Sequence, residues 1–237
     1  MEEHKIFCAL DTPDLEEARK LTAMLAPHLA GIKLGLEFFM AQGLLGVKAL
    51  LLLNVPIFLD LKFHDIPNTA AGAVREAAKL GVAYLTVHTS GGEAMLRAVM
   101  DAANEGAQSV NKPRPKVLGV TVLTSLNSAE TSAIGFAGQP EKQVLRLAGL
   151  AANAGLDGIV ASPLEAPLIK QAFGATLLVV TPGIRPLTAA VGDQQRTLTP
   201  KQALANGADY LVIGRPITQS PDPLQALLSI NQDIAAQ

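Results

Sequence analysis

Short apolar segments alternate with longer helical stretches along the chain, and this alternation restricts the possible folds more than any other feature. Eight apolar segments of four to six residues occur, at 6–10, 31–34, 57–61, 84–87, 117–122, 158–161, 177–180 and 210–213. Strands that alternate with helices form parallel sheets, and several segments are apolar on both faces, as buried parallel strands are. Eight strand–helix units in 237 residues predict an α/β fold, a single-domain (β/α)8 TIM barrel over residues 1–237.

The alternative parallel fold is an open, doubly wound sheet. The Gly-x-Gly-x-x-Gly pattern of dinucleotide-binding sheets does not follow the first segment, which disfavours this alternative. Four glycines follow predicted helices and are interpreted as helix C-caps. They are Gly81, Gly106, Gly155 and Gly207.

The composition excludes several functional classes. Hydrophobic residues make up 49% and charged residues 17% of the chain, which is far from the composition of a disordered protein. A net charge of −2 gives no basic surface to attract nucleic acid, and 4% aromatic residues supply few rings for stacking on bases. The longest apolar run, 49–55, falls short of the roughly 20 residues that a membrane span requires. The single cysteine, Cys8, and the absence of a basic N-terminal signal predict a cytoplasmic location.

Polar residues follow most of the predicted strands, where the active sites of such barrels form. In a chain so poor in charge, this placement predicts a convergent polar pocket. The residues are Asp11, Lys33, Asp60, Lys62, His64, Asp65, His88, Thr124, Ser125, Arg185, Gly214 and Arg215.

The third strand carries the most informative pair. Asp60 and Lys62 are two residues apart and share a strand face. They could form a structural salt bridge, or, with Lys33 and Asp65, an alternating network that keeps each lysine cationic. His88 could be a base, a metal ligand or an ordinary strand-end histidine. The spacing of a dedicated metal site is absent, although Asp60 and Asp65 with waters could hold Mg²⁺.

The end of the eighth strand predicts an anion site. Gly214 lets backbone N–H groups approach an anion, and Arg215 supplies a planar fork for phosphate oxygens, although a tight turn with a surface arginine is the alternative. The preceding connection, 183–200, is long for a barrel loop and contains Arg185 and Gln194. We interpret it as a lid that grips phosphate, with a disordered insertion as the alternative.

These residues resemble a known family. The run Asp60-x-Lys62-x-x-Asp65-Ile66-Pro67-Asn68-Thr69, with Lys33 upstream, is similar to the signature of the orotidine 5′-phosphate decarboxylase family. Further matching segments cover nearly the whole chain, at 9–11, 32–35, 87–88, 122–125, 180–185 and 212–217. Related sugar-phosphate decarboxylases and synthases share the Asp-x-Lys-x-x-Asp core, whereas the extension through Thr69 and the segment 181–185 are more specific.

The resemblance implies decarboxylation of orotidine 5′-monophosphate to UMP, the last step of de novo pyrimidine synthesis, without a cofactor. It also implies a homodimer in which Asp65 and Thr69 reach the ligand of the neighbouring subunit. Lys33, Asp60, Lys62 and the partner's Asp65 would form the charged network, and Lys62 would protonate C6 of the pyrimidine.

The resemblance also assigns the binding residues. Asp11 and Lys33 would hold the ribose hydroxyls, and Gln194 would bridge the base and the phosphate. Thr124 or Ser125 would contact the pyrimidine, with Thr124 preferred. The phosphate would be held by Arg185, Gly214 and Arg215.

Two other functions fit the same residues. One is a Mg²⁺-dependent sugar-phosphate decarboxylase or synthase on the same barrel. The other is an inactive sensor of a phosphorylated ligand, against which the presence of Lys62 argues.

Overall fold

The computed structural model is a closed barrel of eight parallel strands arranged in sequential order. It describes residues 4–136, 139–186 and 198–236. The strands are β1 (Ile6–Ala9), β2 (Gly31–Leu34), β3 (Ile57–Phe63), β4 (Tyr84–His88), β5 (Lys116–Val120), β6 (Gly158–Val160), β7 (Leu178–Thr181) and β8 (Tyr210–Ile213). Because β1 pairs with both β2 and β8, the sheet has no edge. The predicted (β/α)8 barrel is confirmed, and the open sheet is excluded.

Helices connect the strands on the outside of the barrel. They are α1 (Leu15–Leu25), α2 (Leu36–Leu51), α3 (Pro67–Leu80), α4 (Gly92–Ser109), α5 (Ser128–Ala133), α6 (Pro140–Asn153), α7 (Ala166–Phe173), α8 (Pro200–Ala205), α9 (Arg215–Thr218) and α10 (Pro223–Ala235). Short 3₁₀ turns occur at Ala26–His28 and Thr89–Gly91. No helix in the described part of the chain combines the length and apolar character needed to cross a lipid bilayer.

The glycine predictions are confirmed at three of four positions. Gly81 ends α3 with a left-handed φ of 84°, and Gly155 and Gly207 also follow helices with positive φ. The prediction for Gly106 was wrong, because α4 continues through it to Ser109. A Cβ at Gly106 would lie 2.4 Å from the carbonyl oxygen of Arg75 in α3. Gly106 therefore allows two neighbouring helices to pack closely, a requirement that the sequence pattern of a helix end does not reveal.

Two apolar layers hold the barrel together. The larger layer packs the outward faces of the strands against the helices and includes Cys8, which is buried as a free thiol. The smaller layer lies inside the barrel, where aromatic rings pack edge-on or tilted with centroids 5.0–6.1 Å apart. These rings are Phe7, Phe58, Tyr84 and Tyr210, at the first or second position of their strands. They fill the lumen near the strands' N-terminal ends, so the opposite end is left for a cavity.

Candidate active site

A cavity of about 370 Å³ opens at the C-terminal ends of the strands. Its apolar part comes from inward-facing residues such as Phe58, Val120 and Val212. Its polar part contains most of the residues predicted from the sequence, namely Asp11, Lys33, Asp60, Lys62, Thr124, Ser125, Arg185, Gly214 and Arg215. The barrel thus brings together groups from six different strand ends, and the predicted convergent pocket is present.

Four of these side chains form a row of alternating charge across the cavity. Lys33 Nζ lies 3.6 Å from Asp11 Oδ1 and 3.5 Å from Asp60 Oδ2. Lys62 Nζ lies 2.8 Å from the same Asp60 Oδ2. The pair on β3 is therefore joined to Lys33, and the second carboxylate of the row is Asp11, whereas the sequence interpretation named Asp65. Within the chain, the network consists of two carboxylates and two ammonium groups.

Asp60 is the centre of this row. Burial by itself would raise the pKa of its carboxyl, but the charges of Lys33 and Lys62, with hydrogen bonds from Lys62 and Thr86, lower that pKa below its ordinary value. The carboxylate is therefore ionised at neutral pH although only 8% of the residue is exposed. A buried anion flanked by two cations holds those cations in place, since separating them would leave an unpaired charge.

Lys62 lies in a distorted part of β3. Leu59 pairs with Leu85 of β4, but Phe63 pairs with Val87, so β3 has two extra residues between these points. Within this bulge Lys62 has a φ of 52°, in the left-handed region, which costs a residue with a Cβ about 1–2 kcal/mol. The predicted regular alternation of Asp60 and Lys62 on one strand face is thus interrupted. Their side chains meet nonetheless.

Thr86 of β4 was not predicted as a site residue. Its hydroxyl accepts a hydrogen bond from the backbone N–H of Lys62 at 2.9 Å and donates one to Asp60 Oδ1 at 2.9 Å. The side chain is fully buried and does not line the cavity. Threonine is an ordinary strand residue, so the sequence carries no signal for this role; only the bulge in β3 places a backbone N–H within its reach.

Asp65 and Thr69 lie outside the cavity of their own chain. Both are exposed, and the Asp65 carboxylate accepts a hydrogen bond of 2.6 Å from the backbone N–H of Ile66. The structure therefore does not bring Asp65 into the charged row of the same subunit. The neighbouring Ile66 is 68% exposed, which is unusual for an isoleucine beside a polar site.

Two arginines line the cavity from the ends of β7 and β8, which are not neighbours of β3 in the barrel. Arg185 follows β7, and Arg215 begins α9 directly after β8. Burial and the nearby charge of Arg215 both lower the pKa of the Arg185 guanidinium. Gly214 leaves little room there, since a Cβ would lie 3.3 Å from that of Ala9. Two converging cations at a tight backbone turn suit a dianionic group such as phosphate.

Other predicted residues have different outcomes. Thr124 and Ser125 both line the cavity, so the geometry keeps both as candidates. His88 does not line it; its ring packs against that of His64 with centroids 5.2 Å apart.

Gln194 and most of the predicted lid, residues 187–197, lie outside the described residues. At the base of this segment, Ile184 pairs with Leu198, and Arg185 N–H donates to the Leu198 carbonyl at 3.0 Å.

The Mg²⁺ alternative receives no support from the side-chain positions. Among the described residues, no group of three or more His, Cys, Asp and Glu side chains is placed to hold a metal ion. Asp60, which that alternative requires, already has both carboxylate oxygens bonded, to Thr86 and to Lys62.

Comparisons with known proteins agree with this geometry. Residues 4–230 match the profile of the Orotidine 5′-phosphate decarboxylase / HUMPS family. The chain is 51% identical over 236 residues to orotidine 5′-phosphate decarboxylase of Nitrosococcus oceani, covering 99% of each. It is 49% identical over 231 residues to that of Moorella thermoacetica, covering 97% of this chain and 92% of the relative. The crystal structure of orotidine 5′-phosphate decarboxylase from Lactobacillus acidophilus superimposes with a TM-score of 0.85 at 36% identity, covering 99% of this chain and 100% of that chain.

Proposed function

This chain belongs to the Orotidine 5′-phosphate decarboxylase / HUMPS family, and we propose that it converts orotidine 5′-monophosphate to UMP and CO₂. The observation that carries the proposal is the charged row of Asp11, Lys33, Asp60 and Lys62 at the ends of β1 to β3 in a cavity that two arginines line from β7 and β8. This arrangement fits a ligand with a reacting centre at one end and a phosphate at the other. Curated relatives at about half identity bear the decarboxylase name.

Lys62 is the proposed proton donor. Loss of CO₂ from C6 leaves an electron pair in the plane of the pyrimidine ring, where the π system cannot delocalise it. An ammonium aimed at that carbon stabilises the developing carbanion and then transfers a proton to it. Because Asp60 holds the ammonium at 2.8 Å before substrate arrives, the charge needs no reorganisation during the reaction.

Asp60 and Lys33 have supporting roles in this proposal. Asp60 holds the Lys62 ammonium in place through their ion pair, so that the ammonium is positioned to donate a proton to the substrate. Lys33 lies between the carboxylates of Asp60 and Asp11, so the two negative and two positive charges of the row balance. Together Lys33 and Asp11 present an ammonium and a carboxylate to the ribose hydroxyls. The reaction needs no added electron acceptor or donor, and no cofactor or metal enters the proposed mechanism.

Phosphate binding supplies affinity remote from the reacting carbon. Arg185, Arg215 and the backbone at Gly214 surround the proposed phosphate position. We propose that the segment 183–200, with Gln194, closes over the ligand. Pairing of Ile184 with Leu198 supports this role, since both ends of the segment are anchored beside the phosphate position. Closure driven by phosphate would convert remote binding energy into rate.

The active site is proposed to be shared between two subunits. Asp65 and Thr69 are exposed and lie outside their own cavity, beside the exposed Ile66, as residues that serve a neighbouring subunit would. Mixing inactive Asp65→Ala and Lys62→Ala dimers should then restore activity in one of the two sites of each heterodimer. Absence of recovery after demonstrated subunit exchange would contradict the shared site.

The catalytic proposal is tested by the absorbance of the orotate ring. Purified protein should remove this absorbance from orotidine 5′-monophosphate with EDTA present, and UMP should accumulate. No turnover, with UMP bound nonetheless, would support the inactive sensor. Activity abolished by EDTA and restored by Mg²⁺ would instead support the sugar-phosphate enzyme.

We also propose a cytoplasmic location, where nucleotide precursors are available as substrates. The single cysteine, which is buried as a free thiol, is compatible with a reducing compartment. Cell fractionation followed by detection of the tagged protein tests this location, and recovery outside the cytoplasmic fraction would contradict it.

A further inference from the structure

We propose that Thr86 is a positioning residue for the decarboxylation, acting through Lys62 and Asp60 without touching the substrate. The inference rests on the proposed function, because it concerns the geometry of the same ammonium group. Thr86 lies in the middle of β4, where its side chain is fully buried beneath the charged row.

The hydroxyl of Thr86 joins two groups that are otherwise unconnected on that side of the row. It accepts a hydrogen bond from the Lys62 backbone N–H and donates its one proton to Asp60 Oδ1. A hydroxyl can do both at once, since it has one donor and two lone pairs. A valine at this position would fill nearly the same volume but could make neither hydrogen bond.

The two carboxylate oxygens of Asp60 therefore have different partners. Oδ1 is held by Thr86, whereas Oδ2 faces both Lys62 Nζ at 2.8 Å and Lys33 Nζ at 3.5 Å. Loss of the bond to Oδ1 would free the carboxylate to rotate about its side-chain torsions. The ammonium that it holds would then shift, and a small misplacement of a catalytic group lowers the rate strongly.

The bond to the Lys62 backbone has a second effect. Lys62 has a left-handed φ within the bulge, a conformation that persists only where the surroundings impose it. Lys62 lies in the part of β3 where the regular pairing with β4 is interrupted, and there the Thr86 hydroxyl accepts the hydrogen bond of its backbone N–H. Thr86 thus secures both the backbone and the counter-ion of the proposed proton donor.

The test compares Thr86→Val with Thr86→Ser, which retains the hydroxyl. Thr22→Val is the matched control, because Thr22 is equally buried and donates to a backbone carbonyl in α1, away from the cavity. Thr86→Val should lower kcat on the order of 10- to 100-fold, the worth of a hydrogen bond to a charged group. The Kd of Thr86→Val for UMP should stay within about threefold of the wild-type value. Thr86→Ser should keep most of the kcat that Thr86→Val loses.

A double-mutant cycle with Asp60→Asn separates positioning from a general loss of stability. Thr86→Val should lower kcat less in the Asp60→Asn background than in the wild type, since the two residues act together. Full additivity, or a kcat for Thr86→Val equal to that of Thr22→Val, would overturn the proposal. So would a parallel loss of kcat, UMP affinity and melting temperature.

Thr86→Cys covers the case in which the valine variant does not fold. It has nearly the same volume and only a weak S–H donor, so its kcat should fall at unchanged UMP affinity. Wild-type kcat in this variant would overturn the role of Thr86. No turnover by the wild-type protein would contradict the proposed function itself, which distinguishes the two failures.

Discussion

Lys62 and Asp60 are connected twice. The Lys62 ammonium lies 2.8 Å from Asp60 Oδ2, and the Lys62 backbone N–H reaches Oδ1 through the hydroxyl of Thr86. The side chain of Lys62 therefore contacts the buried Asp60 carboxylate directly, and its main chain is linked to the same carboxylate by hydrogen bonds through Thr86. Such double attachment fixes a charge in space before the ligand binds, which is the condition for effective electrostatic catalysis.

Replacement of Lys62 tests whether this charge is the catalytic one. Lys62→Ala should lower kcat by roughly 10³-fold or more, because it removes both the stabilising charge and the proton donor. The Kd for UMP should change by less than about tenfold, since phosphate contacts lie elsewhere. Steady-state kinetics and calorimetry measure the two quantities. Lys79→Ala, which removes an exposed lysine paired with Glu76, is the control. A Lys62→Ala enzyme within tenfold of wild type would refute the assigned role.

The phosphate end should behave differently from the reacting end. Arg215→Ala should raise KM for orotidine 5′-monophosphate by on the order of 10- to 100-fold, because a charge-assisted hydrogen bond is lost. Turnover of orotidine, which lacks the phosphate, should be unchanged by the same substitution. Arg97→Ala, at an exposed arginine bonded to Glu93, controls for loss of surface charge. An equal loss with both substrates would show that Arg215 does not act on the phosphate.

The barrel and much of the site could be predicted from the sequence for physical reasons. Buried parallel strands must be apolar, so Asp11, Lys33, Asp60 and Lys62 stand out at strand ends in a chain with few charges. Thr86 does not stand out, because its β-branched side chain suits a strand whether or not its hydroxyl has a special partner. Gly106 was mistaken for a helix end because its role depends on a neighbouring helix. Asp65 and Thr69 are proposed to depend on a second subunit.

The histidine pair beside the charged row should make stability depend on pH. Burial, with the nearby charges of His64 and Lys62, lowers the pKa of His88 below its ordinary value of 6.5, although Asp60 acts in the opposite direction. Between the lowered pKa of His88 in the folded protein and its ordinary pKa in the unfolded chain, the unfolded chain binds more protons than the folded one. The free energy of unfolding is therefore highest above about pH 6.5, and it falls as the pH drops below that value.

Urea denaturation at pH 7.5 and at pH 5.5 measures this effect. The wild type should lose more free energy of unfolding over this interval than His88→Gln does. His64→Gln should reduce the dependence without abolishing it, because burial is the larger cause. The same pH dependence in His88→Gln and in the wild type would rule out His88 as its source.

Close packing of α3 against α4 requires a glycine at position 106. Gly149 in α6 has open space around it and serves as the control. Gly106→Ala would place a Cβ 2.4 Å from the Arg75 carbonyl oxygen and 3.1 Å from the Ala78 Cβ, so a helix backbone must move. We expect a loss of about 1–3 kcal/mol in the free energy of unfolding, despite the better helix propensity of alanine. Gly149→Ala in α6 meets nothing nearer than the Phe173 ring at 3.9 Å and should gain up to about 1 kcal/mol. Denaturant unfolding of both variants measures the difference, and a stabilised Gly106→Ala protein would show that the two helices can separate without cost.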